Sequence, residues 1–435
     1  MRVFTLFGIY YASAGYALIN PLFGVLFFVH ITIFRPENLA WGSAVFGRLH
    51  LITAVCTAIG CLIRRDQLRT DVGRHQRLNV ALFAAFVAWL WFVSLTATAS
   101  VDASIDRTLY ITKIFAFCVV LSLVLNSAHT IRWYVLVSSA SFGLVGFWGV
   151  LQGMAGNWRL DNVWVGSNEL AAALSLMIPF TLSAALDSAF LKWQRIAMAL
   201  CVVAMTTCIV YTDSRSGLVA LIGGLFGFVV LAKRKFRFLA WLLAIIVLVY
   251  PMVPSEFGDR WSTIVQQDAE ADLAAKSRPI LWQLAFRMWQ DNPILGVGLG
   301  NFRLVVSSYE SKAGDLVNSE AMARLIFGTE REPHGLYPGL LAQAGLLGLA
   351  LLMTMSLRNA SCRLDFQKDL ALLGKGAQAG VLGFAIAAIF GDYQYIDMFY
   401  WQLFLIGAIR SVWEHSDAGD SLLASPMAHA KGELI

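Results

Sequence analysis

One histidine and three arginines stand where a proton could be removed and an anionic leaving group gripped. His334, in Glu332-Pro333-His334-Gly335, comes just before an apolar stretch, and Arg215 opens another in Asp213-Ser214-Arg215-Ser216-Gly217. Arg159 lies in Trp158-Arg159-Leu160-Asp161-Asn162, ahead of Ser167-Asn168-Glu169 and a third stretch. Arg278 precedes an amphipathic pattern in Ser277-Arg278-Pro279. Proline suits the first position of a helix, which predicts a helix starting at Pro279 with Arg278 at its cap. An imidazole titrates near neutrality and serves as a general base. A guanidinium offers paired donors to phosphate oxygens, and a helix N-terminus adds free N–H groups and a positive dipole end. A base beside an anion clamp is the chemistry of a displacement from which a pyrophosphate departs. Asn168, Glu169, Asp213 and Tyr337 are polar neighbours able to support it. Plainer readings stand alongside. Each arginine can anchor a helix at an interface, Arg215 can pair with Asp213, and His334 can cap a helix.

Other patterns carry less. Ile294-Leu295-Gly296-Val297-Gly298-Leu299-Gly300-Asn301-Phe302 is glycine-rich, but no strand precedes it and no Lys-Ser/Thr follows. It reads as a turn and not as a nucleotide fingerprint. No His/Cys/Asp/Glu set has metal-ligand spacing, so a reaction without metal or cofactor is expected.

The elements that must position these groups are membrane spans. The chain has 435 residues, 58% hydrophobic and 14% charged, with a mean hydropathy of +0.65. Soluble domains are about a quarter charged, so a soluble enzyme, a disordered chain and a nucleic-acid binder are excluded. A spanning helix takes about 20 mostly apolar residues. Such stretches run near 43–63, 78–98, 109–126, 132–152, 167–187, 193–211, 215–231, 237–253, 335–357, 376–391 and 396–412. The segment 3–34 is one long span broken at Asn20-Pro21, or two short ones. The expectation is an all-α, polytopic inner-membrane bundle of about 12 helices, with none of the strand alternation of a barrel.

Basic loops mark the cytoplasmic side. Residues 64–77, 192–195, 233–237 and 358–375 are rich in Arg and Lys, and even numbers of spans separate them. The candidate residues then fall together on the opposite, periplasmic side. The expected organisation is a first bundle part at 1–253, a large periplasmic loop at 254–333, three last spans at 334–413 and a polar, unstructured cytoplasmic tail at 414–435. Within the loop, Ile280, Leu281, Leu284, Ala285, Met288 and Trp289 recur at helical spacing, with Gln283, Arg287, Gln290 and Asp291 on the other face. That pattern predicts an amphipathic helix lying on the bundle or in the interface. None of the six cysteines falls in an outer loop, so no disulfide framework is expected.

Over residues 155–350 these clusters resemble the O-antigen ligase and polymerase superfamily of bacterial inner-membrane glycosyltransferases. The resemblance rests on Gly166-Ser167-Asn168-Glu169-Leu170-Ala171, Ser214-Arg215-Ser216-Gly217, and Ser277-Arg278 with the helix to Asp291-Asn292-Pro293. It continues through Leu295-Gly296-Val297-Gly298, Asn301-Phe302 and Pro333-His334-Gly335-Leu336-Tyr337. The first 45 residues resemble the start of O-glycosylation ligases found beside exosortase systems. The resemblance implies transfer of a glycan from undecaprenyl pyrophosphate to a sugar hydroxyl of lipid A–core at the periplasmic face. It makes His334 the base and gives the pyrophosphate to Arg215, Arg278 and Arg159. An O-antigen polymerase or a protein O-oligosaccharyltransferase using the same donor is the neighbouring alternative. A lipid-linked glycan flippase or transporter is the alternative from another class. Transporters place charges at mid-membrane on broken helices, whereas these spans are nearly charge-free with the special residues at one mouth.

Overall fold

The computed structural model describes residues 2–35, 49–65, 68, 72–157, 160, 166–232, 235–253, 269–314, 317, 319–364 and 370–423. Arg159, with Trp158, Asp161 and Asn162, lies outside the described residues, as do 254–268 and 424–435. The described chain is all α. In order, the main helices are α1 (Arg2–Tyr16), α2 (Pro21–Phe34), α3 (Leu49–Ile63), α4 (Arg74–Leu95), α5 (Val101–Val124), α6 (Ala128–Met154), α7 (Ser167–Leu186) and α8 (Lys192–Tyr211). Then come α9 (Arg215–Leu231), α10 (Lys235–Val249), α11 (Ala269–Asp291), α12 (Glu320–Phe327), α13 (Leu336–Ala360), α14 (Ala371–Ala387) and α15 (Asp397–Leu423). Helices α4–α8 and α13 are long and apolar enough to cross a bilayer, and α2, α3, α9, α14 and part of α10 are shorter apolar helices. Large apolar side chains cover the outside, with Phe226 68% and Ile222 66% exposed. That surface suits lipid and not water. The chain is a polytopic membrane protein.

Helix starts follow their caps. Residues 3–34 form two helices, because Asn20 accepts the Phe23 amide at 3.1 Å and Pro21 fixes the first turn of α2. Ser100 caps α5, Ser127 caps α6 and Ser214 caps α9, each accepting an amide three residues on. Nearly every residue of α7 is buried, and it packs on α8, α9 and α14. Small residues of α14 make its contacts with α7 and α9. A Cβ at Gly380 would lie 2.0 Å from the Leu176 carbonyl oxygen, and one at Gly383 2.8 Å from that of Ala220. Membrane helices associate through such close backbone approach.

Three expectations need correction. Helix α11 begins at Ala269, so Pro279 sits inside it and Arg278 is not at its cap. The proline still loses one backbone bond there, but the apolar face that follows recruits the preceding turns into the same helix. Helix α15 continues to Leu423, into the stretch expected to be an unstructured tail. Helix α13 is broken at Gly345, whose φ of 67° and ψ of −174° interrupt it. The amphipathic face of α11 is as expected: Leu281, Leu284, Ala285 and Met288 are fully buried, while Gln283 and Gln290 are exposed. It packs with the short helices at 302–313, with α12 and with Ala342 of α13, giving this segment a small core of its own.

The glycine-rich turn fills the break in α13. Val297 N–H donates to the Ala342 carbonyl at 2.8 Å and Gly298 N–H to that of Gln343 at 3.1 Å. Trp89 Nε1 donates to the Ala344 carbonyl at 2.8 Å. Gly296, Gly298 and Gly300 all take positive φ, and a Cβ on Gly345 would lie 1.9 Å from the Ile294 oxygen. Only glycine meets these demands cheaply. The broken turn is thus satisfied by protein partners, as irregular backbone in a membrane requires.

Two of the basic segments meet at one end of the bundle. Arg358 donates to Asn79 Oδ1 at 2.6 Å and to the His75 carbonyl at 2.9 Å, and the Gly73 amide donates to Ser411 Oγ at 2.7 Å. Asn79 and Asn359 exchange amide bonds of 3.0 and 3.1 Å beneath them. Helix α4 runs from this end to the other, where Thr98 N–H meets the Val297 carbonyl at 3.1 Å.

Candidate functional site

At that second end a cavity of about 700 Å³ opens between the ends of α2, α5, α7, α13 and α15. Its wall carries several charged and polar groups. His334, Asn168 and Glu169 contribute to it, with Arg35, Arg107 and Glu332. The connection between α14 and α15 supplies the floor, including Asp392, Tyr393, Tyr395 and Asp397.

His334 is held in the left-handed region at φ 49°, directly before α13. A non-glycine residue there is strained, and strain of this kind gathers at working sites. The structure fixes it from both sides. Trp282 Nε1 of α11 donates to the His334 carbonyl at 3.3 Å, and the Leu336 amide donates to the Ala388 carbonyl at 2.8 Å. Gly335 fits between these elements because a Cβ would stand 2.8 Å from Trp282 Nε1 and 2.9 Å from the Ile389 oxygen. Burial, helped by the Arg278 and Arg331 charges, lowers the imidazole pKa to about 4. His334 is therefore neutral at neutral pH and free to accept a proton.

Arg278 acts on His334 through its charge, though not from a helix cap. It lies one turn before Trp282 on α11, so the two share a face. Neither Arg278 nor Arg215 is among the described residues lining the cavity. Arg215 is exposed at the first residue of α9, next to the wall. Ser214 Oγ, which caps that helix, donates to Asn168 Oδ1 at 2.7 Å and so clamps the starts of α9 and α7 together. Asp213, at φ 55°, makes the corner before it. Tyr337 turns away from the cavity and donates to the Ala385 carbonyl at 2.8 Å.

Several cavity residues carry no mark in the sequence. Arg107 lies on α5 with its guanidinium 3.9 Å from Glu332 and 4.8 Å from the centre of the Tyr395 ring. Tyr110, one turn on, donates to Asp397 Oδ1 at 3.0 Å. Burial and the neighbouring Glu332 carboxylate raise the Asp392 pKa well above the ordinary carboxyl range. The cavity thus brings together a neutral base, a pair of neighbouring carboxyls and cationic groups, beside two clamped helix N-termini.

Comparison with protein families divides the chain. Residues 200–353 match the O-antigen ligase family. Residues 1–173 match a family of unknown function. No curated protein matches the chain.

Proposed function

From the O-antigen ligase domain that the chain carries at residues 200–353, we propose that it is an inverting glycosyltransferase. It moves a glycan from undecaprenyl pyrophosphate to a sugar hydroxyl of lipid A–core, on the periplasmic face of the inner membrane. The observation that carries this reading is His334: strained, neutral, set in a 700 Å³ cavity and under the charge of Arg278.

The steps follow from the groups present. Arg278 and Arg215, with Arg159, hold the pyrophosphate oxygens. The acceptor hydroxyl gives its proton to His334 as its oxygen forms a bond to the anomeric carbon. The bond from that carbon to the pyrophosphate oxygen breaks on the opposite face, and the configuration inverts. Guanidinium groups stabilise the charge gathering on the leaving diphosphate. Binding an anion beside Arg278 also offsets the positive field on His334 and raises its affinity for the proton just when it must take one. No metal and no further cofactor enter these steps.

The test is a reconstituted reaction with purified protein in lipid, an undecaprenyl-pyrophosphate-linked glycan and lipid A–core. A joined product with inverted linkage, formed in EDTA, is expected. Product only from a glycan or protein acceptor would make it a polymerase or protein glycan ligase. Donor crossing the bilayer without product would make it a flippase.

A further inference from the structure

A groove of about 490 Å³ runs between α8 and α10, with Leu182 and Ala185 of α7 as its floor. It lies at the other end of the bundle from the cavity. Helix α7 starts at the cavity wall with Asn168 and Glu169, so its last turn and the start of α8 stand at the opposite end. Helix α9 starts next to that wall too, so α10 also begins at the far end. Ala185, Ala199 and Ala244, one on each helix, keep the groove open, and Trp241 and aliphatic side chains line the rest. Where α8 begins, Lys192 and Arg195 close the lining.

Charge and length together say what fits there. Among the described residues lining the groove there are two cations and no acid. Asp187, the acid nearest in the chain, caps the end of α7, accepts the Ala189 amide at 2.9 Å and does not line the groove. Arg195 is more than a free surface anchor. Its Nε donates to the Ala185 carbonyl at 3.1 Å, which fixes the guanidinium at the groove and leaves its terminal amino groups as donors for an anion. On α8 the lining runs from Lys192 to Val203, about 16 Å at 1.5 Å per residue. A hydrocarbon core is about 30 Å thick, so the groove has the depth of one leaflet, with its cations at the water end.

We propose that this groove is a binding site for an anionic phospholipid of the cytoplasmic leaflet. An acyl chain lies between α8 and α10 on the alanine floor, and Lys192 and Arg195 hold the headgroup phosphate. Basic pockets between spanning helices at the cytoplasmic surface recognise anionic headgroups in this way. The side follows from the basic segments that gather at this end. Free phosphate gains nothing from the apolar walls, and a zwitterionic lipid brings the two cations no net charge to meet. The bound chain packs against α10 where protein side chains leave space. The site is remote from the cavity, and it stands or falls independently of the transfer reading.

The experiment is native mass spectrometry of the full chain, delipidated in detergent and titrated with dioleoyl phosphatidylglycerol or dioleoyl phosphatidylcholine, which share their tails. The anionic lipid is expected to bind at least about tenfold more tightly, and Lys192→Gln to remove most of that preference. Lys192 is exposed, so this change leaves the core alone. Ala199→Phe, which fills the groove and keeps both cations, is expected to weaken binding of either lipid. Thermal melting of each lipid-free variant separates lost binding from lost folding, and phosphatidylglycerol should raise the wild-type Tm more than phosphatidylcholine does. Equal affinity for the two lipids would overturn the headgroup selection. A preference untouched by Lys192→Gln and by Arg195→Gln would put the lipid elsewhere and sink the site. Displacement of phosphatidylglycerol by an equal amount of undecaprenyl phosphate would make the groove a carrier-lipid site instead, and a lipid-free dimer that Ala199→Phe splits would make its occupant a second copy of the chain.

Discussion

At His334 the environment that makes a site also weakens its base. Burial and two cations bring its pKa to about 4, so the free enzyme keeps the imidazole neutral down to acid pH. Protonation removes the base, so kcat/KM should be flat near neutrality and fall as pH falls through about 4. Removing the Arg331 charge by Arg331→Gln should move that acid limb upward, while burial, the larger cause, keeps it below the ordinary histidine value. A pH–rate profile checks both, and an unmoved limb would detach Arg331 from the site. His334→Ala should cost about 10²–10⁴-fold in turnover, as general bases do, in protein that still melts normally. Arg215→Lys should retain more transfer than Arg215→Ala without reaching wild type, because lysine keeps the charge and loses the paired donors; initial rates against donor concentration will show it. His334, Asn168 and Glu169 were legible because each stands at a helix start in a polar cluster. Arg107, Asp392 and Asp397 were not. Arg107 falls at the mouth of a span and reads as an anchor, and 391–395 reads as a short connection; only the meeting of five helix ends makes either part of a site.

Among the elements, caps were the readable part. Asn20-Pro21, Ser100, Ser127 and Ser214 each start a helix where their side chains predict one. Pro279 misled for a physical reason: it is tolerated inside α11, where packing of Leu281, Leu284 and Met288 outweighs the lost bond. The break in α13 was hidden because Gly345 sits among Ala, Leu and Gly that read as continuous helix. The small-residue seam of α14 carries a prediction of its own. Gly380→Val drives a side chain into the Leu176 carbonyl, and overpacking of this kind costs about 1–3 kcal/mol or more. The variant should melt well below wild type in detergent, whereas substitution at Gly8, which has open space around it, should not change the melting curve.

Over the whole molecule, the basic segments 72–77 and 358–363 converge at one end and the cavity opens at the other. The sequence made this arrangement readable through charge alone, since positive loops stay in the cytoplasm. In a cysteine-free background, a cysteine at Ser311 should therefore react with a membrane-impermeant thiol reagent in intact spheroplasts, and one at Ser361 only after permeabilisation. The reverse pattern would turn the cavity toward the cytoplasm. The break in α13 bears on how the protein is made. Trp89 and the loop at 293–301 are both synthesised before α13, and both supply bonds that its interrupted middle requires. Both partners of the interrupted middle are therefore already made when α13 emerges, and a circular permutant that begins with α13, which lacks them at that moment, should give less membrane-integrated protein than the natural order.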